Sequence, residues 1–174
     1  MREKWNERMF RFDVPVGRLP CLLERLRGTA ARLEEKARGV SPEFLKRRAG
    51  NTWSAQENIG HLLDIEELHL GRLDELAAGI PSLRPADMKN QKTWDANHNA
   101  TPLPHLLERF REERGRLVDR LEAWDPQRLD TSALHPRLGI PMRVIDVAYF
   151  TAEHDDYHLA RIQELLDMFG KGGG

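Results

Sequence analysis

The sequence predicts an all-α protein built as a four-helix bundle. Two observations carry this prediction. Four long stretches repeat apolar residues every three or four positions, the period of one buried helical face. The connections after the second and third stretches are long, 79–101 and 125–140, and are punctuated by Pro and Gly. A connection of the first length can carry the chain back along the bundle, so that the second and third helices run parallel.

In order, 1–14 reads as irregular or loosely attached, with Phe10, Phe12 and Val14 alternating as in a short extended piece. The first helix, 16–38, carries Leu19, Leu22, Leu23, Leu26, Ala30, Leu33 and Ala37 on one stripe and stops at Gly39. Cys21 flanks that stripe, and nothing around it in sequence would lower its pKa. Ser41-Pro42-Glu43 opens a short turn of helix, Ser as cap and Pro at the first helical position. The second helix, 54–78, starts on a capping box, Ser54 to Glu57, and buries Ile59, Leu62, Ile65, Leu68, Leu73 and Leu76. Inside the following connection, Trp94 is an aromatic that either lids a pocket or plugs the bundle end, and the plug is favoured. The third helix, 102–123, runs Leu103, Leu106, Leu107, Phe110, Leu117, Leu121 and Trp124, with a polar break at Glu113 and Arg114. Such a break marks a cavity or side chains that snorkel outward. The fourth helix, 141–169, completes the bundle. The expected organisation is one domain over 1–170 and a disordered tail over 171–174.

Charge and composition narrow the function. Lys plus Arg total 27 and Asp plus Glu 28, so no basic excess advertises nucleic acid. The single cysteine excludes an intrachain disulfide and a Cys-rich zinc site, and suits a reducing compartment. No apolar run approaches the ~20 residues of a membrane span, and the charged N-terminus lacks a signal-peptide core. A cytoplasmic protein is expected.

Chemistry concentrates in Thr151–Ile162. His154 and His158 lie four apart, on one face of a helix. Val144, Ala148, Thr151, Ile162, Leu165 and Phe169 continue that face, so both rings point into the apolar seam. Two imidazoles at this spacing can reach one metal ion; they can equally be buried rings satisfied by hydrogen bonds. A third ring on another inward stripe would favour the metal, and His61 supplies one. Asp64, one turn from His61, either accepts a hydrogen bond from a ligand ring or is simply solvated. His69 lies eight residues from His61, about 12 Å along a helix, and reads as a flank residue.

Two signatures resemble a known family. Trp53-Ser54 followed by Glu57-Asn58-Ile59-Gly60-His61-Leu62-Leu63-Asp64 resembles the second-helix signature of the DinB/YfiT-like metalloproteins. Gly139-Ile140-Pro141-Met142, then His154-Asp155-Asp156-Tyr157-His158-Leu159-Ala160-Arg161-Ile162, resembles their fourth-helix signature. Arg161 stands where glutamine is common. The resemblance implies an up-down-down-up bundle, one divalent ion (nickel or zinc) held by His61, His154 and His158, and a homodimer. It implies that His69, His98, His105 and His135 are not ligands. Members with assigned activity are transferases and isomerases that use bacillithiol, mycothiol or glutathione.

Three imidazoles leave an ion its full charge and an open position, the catalytic pattern of coordination. The leading expectation is therefore a metal-dependent transferase that joins a low-molecular-weight thiol to a small electrophile, with a metal-dependent hydrolase as a variant. A non-catalytic, stress-related metal-binding bundle is the alternative, and a helical interaction module without metal a third. Asp64 and Asp155 are the candidates for orienting a ligand ring. A small-molecule substrate is the expected partner, with no nucleic acid and no membrane.

Overall fold

Each long helix begins and ends where its local chemistry dictates. The computed structural model describes residues 3–170; the tail 171–174 lies outside the described residues. Helix α1 (Leu19–Ala37) follows a single tight turn at Val16–Arg18 and ends before Gly39, whose φ of 71° only glycine adopts at little cost. Ser41 caps the short α2 (Pro42–Lys46) by accepting from Phe44 N. The capping box is present at α3 (Ala55–Asp64): Ser54 Oγ accepts from Glu57 N at 3.1 Å, and Glu57 Oε2 from Ser54 N at 2.9 Å.

The expected second helix is two. Ile65, at φ −87° and ψ −9°, separates α3 from α4 (Glu66–Ala77). Its periodicity hides the break because Ile65 O still accepts from His69 N, so the apolar face carries through. Within the connection that follows lies α5 (Gln91–Asp95). Helix α6 (Leu103–Glu122) leads to a hairpin, β1 (Ser132–Leu134) paired antiparallel with β2 (Pro141–Arg143), and then to α7 (Val144–Gly170). Pro141 therefore lies in a strand, not at the start of the fourth helix. Asp146 holds the junction, accepting from Arg143 N at 3.0 Å and from its guanidinium.

Cross-helix pairs show how the helices lie. Glu66 meets Arg114 and Asp74 meets Arg120, the numbers rising together along the second and third long helices. Arg27 meets Glu122 and Glu34 meets Arg111, the numbers running oppositely along the first and third. Among the described residues no helix is long and apolar enough to cross a membrane.

The apolar core forms two clusters. One gathers Leu26, Leu73, Leu117, Leu121, Val144 and Ala148; the other Leu33, Ile59, Leu62, Phe110, Leu159 and Ile162. Between them the helices contribute buried polar groups. Arg114 Nη2 donates to Glu66 Oε1 at 2.6 Å, its guanidinium also clasps Asp155, and Thr29 Oγ1 donates to Asp155 at 2.7 Å. Burial pushes the Glu66 carboxyl up, opposed by Arg114; burial pulls the Arg114 guanidinium down, but Asp155 and Glu66 outweigh it and hold it charged. The polar break of the third stripe is thus neither a cavity nor a snorkelling chain. It is a cation paired inside the bundle, where an unpaired charge would not be tolerated.

Candidate metal centre

Three of the buried groups near this polar layer are imidazoles. The capping box fixes the start of α3, which delivers His61; the spacing of four on α7 puts His154 and His158 on one face. Ring centroids lie 4.7 Å apart for His61 and His158, 4.5 Å for His154 and His158, and 5.3 Å for His61 and His154. One nitrogen from each ring falls within 4.8 Å of the others, and all three residues are buried.

Hydrogen bonds set which nitrogen each ring offers. Asp64 accepts at Oδ2 from Thr93 Oγ1 at 2.9 Å and from His98 Nε2 at 2.8 Å. Thr93 has then spent its hydrogen, so its Oγ1, 3.1 Å from His61 Nδ1, accepts from that ring. The Asn58 amide nitrogen donates to Ser54 O at 2.7 Å, leaving its oxygen to accept from His158 Nδ1 at 2.8 Å. Both rings therefore carry hydrogen on Nδ1 and a lone pair on Nε2. His154 Nδ1 is buried with no hydrogen-bond partner.

Burial also keeps the His61 and His154 rings neutral. It drives the His61 pKa down to about 3, helped by His154 and opposed by Asp64, and the His154 pKa to about 3, helped by Arg114 and Arg72. Asp64 stays ionised: burial raises its pKa, and the His98 and Thr93 hydrogen bonds outweigh it. Three buried imidazoles, two oriented from behind and one whose Nδ1 has no hydrogen-bond partner, fit a divalent ion.

Aromatic rings wall the cluster. Trp53 lies 4.6 Å from His61, and Trp5 lies 4.9 Å from His154, centroid to centroid. The N-terminal segment is not loosely attached: Phe10 is buried in the core and Trp5 packs on Phe150 at 4.9 Å. The three histidines open onto a cavity of about 810 Å³ that Trp5, Trp53 and Tyr157 also line.

The chain matches the DinB superfamily model over residues 25–162. It belongs to the DinB superfamily. The four-helix bundle of this DinB-superfamily chain is similar in fold to YfiT from Bacillus subtilis, described as a probable metal-dependent hydrolase with an unusual four-helix bundle topology. The two share 20% identity with a TM-score of 0.80 over 94% of each chain. The colibactin self-resistance protein ClbS, solved in complex with a double-stranded DNA, superposes with a TM-score of 0.65 at 18% identity, over 86% of this chain and 95% of that one. Both likenesses concern the fold alone. No curated protein matches the chain.

Within this DinB fold the other predicted residues sort as follows. Asp64 supports His61 through Thr93, one residue removed from the direct contact expected. Asp155 does not orient a ring. The residue after His154 turns about 100° around the helix, and its carboxylate bonds Arg114 and Thr29 instead. His69 is buried rather than flanking, and His98 is buried as well, but neither belongs to the cluster. Trp94, expected to plug the bundle end, is 41% exposed and leans on Trp53. Its neighbours Thr93 and His98 are buried instead. No periodicity announces Thr93, because it lies in a one-turn helix whose only buried residue it is.

Proposed function

We propose that this chain is a metal-dependent enzyme that transfers a low-molecular-weight thiol to a small electrophile. His61, His154 and His158 would hold one divalent ion, and an all-imidazole donor set suits nickel or zinc. Such an ion keeps its double charge and open positions, and lowers the pKa of a thiol or water that reaches it.

The observation that carries this reading is the lack of a free carboxylate base in the cavity. Among the described residues that line the large cavity, the one carboxylate is Asp87. Its oxygens accept from Lys89 N at 2.9 Å and Gln91 N at 2.7 Å, which ties it to the start of α5. A thiol suits this setting, because a protein base is least needed for a nucleophile whose own pKa lies near 8.5. The sulfur forms a bond to the electrophilic carbon, the leaving group departs with its electron pair, and the thiol proton passes to solvent. Trp5 and Trp53 shield the rings from water. The exposed Cys21 takes no part.

Hydrolysis is the second reading, favoured by the fold shared with YfiT, described as a probable metal-dependent hydrolase. One set of assays separates the two. Metal content is measured for the purified chain, for His158→Ala, expected to lose metal, and for His105→Ala, expected to keep it. Loaded protein and His154→Ala are then compared on chlorinated and epoxide electrophiles with bacillithiol, mycothiol, glutathione or coenzyme A, and on ester and amide substrates without thiol. Turnover only with a thiol supports transfer. Turnover without thiol supports hydrolysis, and equal rates for loaded protein and variant with every substrate refute both.

A further inference from the structure

The metal cavity has a second polar region that the reaction above does not use. Arg72, on α4, is 2% exposed and lines the cavity. Other buried or half-buried guanidiniums meet a carboxylate, as Arg25, Arg114 and Arg143 do. Arg72 meets none among the described residues. Its Nε and Nη2 donate to Arg84 O at 3.3 and 3.2 Å. Glu75, the carboxylate whose charge Arg72 feels, is taken by Arg84 Nε at 2.7 Å. Arg137, in the loop between the two strands, also lines the cavity; its Nη1 donates to Asn6 O, and its Nη2 is buried with no partner.

His135 completes the group. Its Nδ1 accepts from Arg137 N and Leu138 N, each at 3.2 Å, so the hydrogen of the neutral ring sits on Nε2. That Nε2 is buried and has no acceptor. Burial, then the charges of Arg72 and Arg137, push the His135 pKa down to about 4. Burial likewise lowers the Arg72 pKa to about 10, with Arg137 and Arg84 adding to it and Glu75 opposing. Arg72 without a carboxylate, and Arg137 Nη2 and His135 Nε2 without an acceptor, thus share one cavity, and buried donors left unmatched are costly.

We propose that Arg72, Arg137 and His135 form an anion subsite that grips a carboxylate or phosphate group of the substrate. The inference rests on the enzyme reading for its use, not for its chemistry. A guanidinium fork and a ring N–H match the lone pairs of an oxyanion. Ring contacts link the subsite to the metal cluster. His135 lies 5.4 Å from Phe150, Phe150 lies 4.9 Å from Trp5, and Trp5 lies 4.9 Å from His154. One anionic molecule can therefore span both, its charged end at the arginines and its reacting atom at the histidines.

The test uses the full chain freed of metal, so that its outcome is independent of the metal reading. Inorganic phosphate and acetate are titrated separately by calorimetry in an anion-poor buffer. Wild type should bind at least one of them, and the preferred anion names the group the substrate carries. Arg137→Met should weaken binding at least tenfold, and Arg137→Gln, the milder change should the first fold poorly, should also weaken it. Arg38→Met, at an exposed site paired with Glu35, should bind as wild type does. If wild type binds neither anion, or a folded Arg137 variant binds as tightly as wild type, the subsite is wrong.

Discussion

Replacing Thr93 by Val tests whether the His61 ring is prepared for a metal from behind. The side chain keeps its shape and loses its oxygen, so His61 Nδ1 loses its acceptor at 3.1 Å and Asp64 loses a donor at 2.9 Å. Two buried hydrogen bonds at about 1 kcal/mol each put the loss of metal-free stability near 2 kcal/mol. The effect on metal affinity comes from the difference between the two states. A neutral ring gains about 1 kcal/mol from its hydrogen bond, and a ring polarised by a cation about 1.5–3 kcal/mol. The difference, about 0.5–2 kcal/mol, corresponds to roughly 2- to 30-fold weaker binding, overlapping the ~10–100-fold typical when a group behind a metal ligand is removed. The assay is competition against a chelator of known affinity, with Thr93→Ser as the variant that keeps the oxygen. Metal affinity within twofold of wild type in folded Thr93→Val would refute the reasoning.

Three further outcomes follow from the geometry. Arg114→Met leaves the Glu66 and Asp155 carboxylates buried without their cation, and should cost about 3–5 kcal/mol in a denaturant melt; a loss under about 1 kcal/mol would contradict the pairing. Gly60→Ala would set a Cβ 2.2 Å from His98 Cγ, displacing the ring that donates to Asp64. It should lower stability by about 1–3 kcal/mol and weaken metal retention, whereas wild-type behaviour would show that His98 moves freely. Metal-free protein should lose stability as pH falls below about 6.5, because unfolded His61 and His154 take up protons there and the folded rings only near 3. The slope is about 1 kcal/mol per pH unit for each ring, and stability that is flat from pH 6.5 to 5 would refute it.

What the sequence discloses is what each helix says about itself. His61, His154 and His158 were legible because stripe position and a spacing of four depend on one helix at a time. The capping box at Ser54 was legible for the same reason. The break at Ile65 was not, since the apolar period passes through it unchanged. Neither were Thr93, Trp5 and Arg137, which reach the site from segments without periodicity. Arg114 left a trace, a polar residue on an apolar stripe, but its partners sit on two other helices and no local pattern names them. Asp155 misled because adjacency in sequence is not adjacency on a helix face.

The division of labour around the cavity has an evolutionary consequence. The histidines stand on α3 and α7, inside the bundle, whereas much of the wall facing them comes from the N-terminal segment, the stretch around α5 and the turn between β1 and β2. Loops of this kind tolerate exchange far better than packed helices do. The bundle can therefore act as a fixed chassis while its wall segments drift, diversifying what is accepted without disturbing the ion-binding residues. A library confined to residues 5, 86–88 and 136–137 would sample that freedom directly, and its members should keep their metal while changing their preferred substrate.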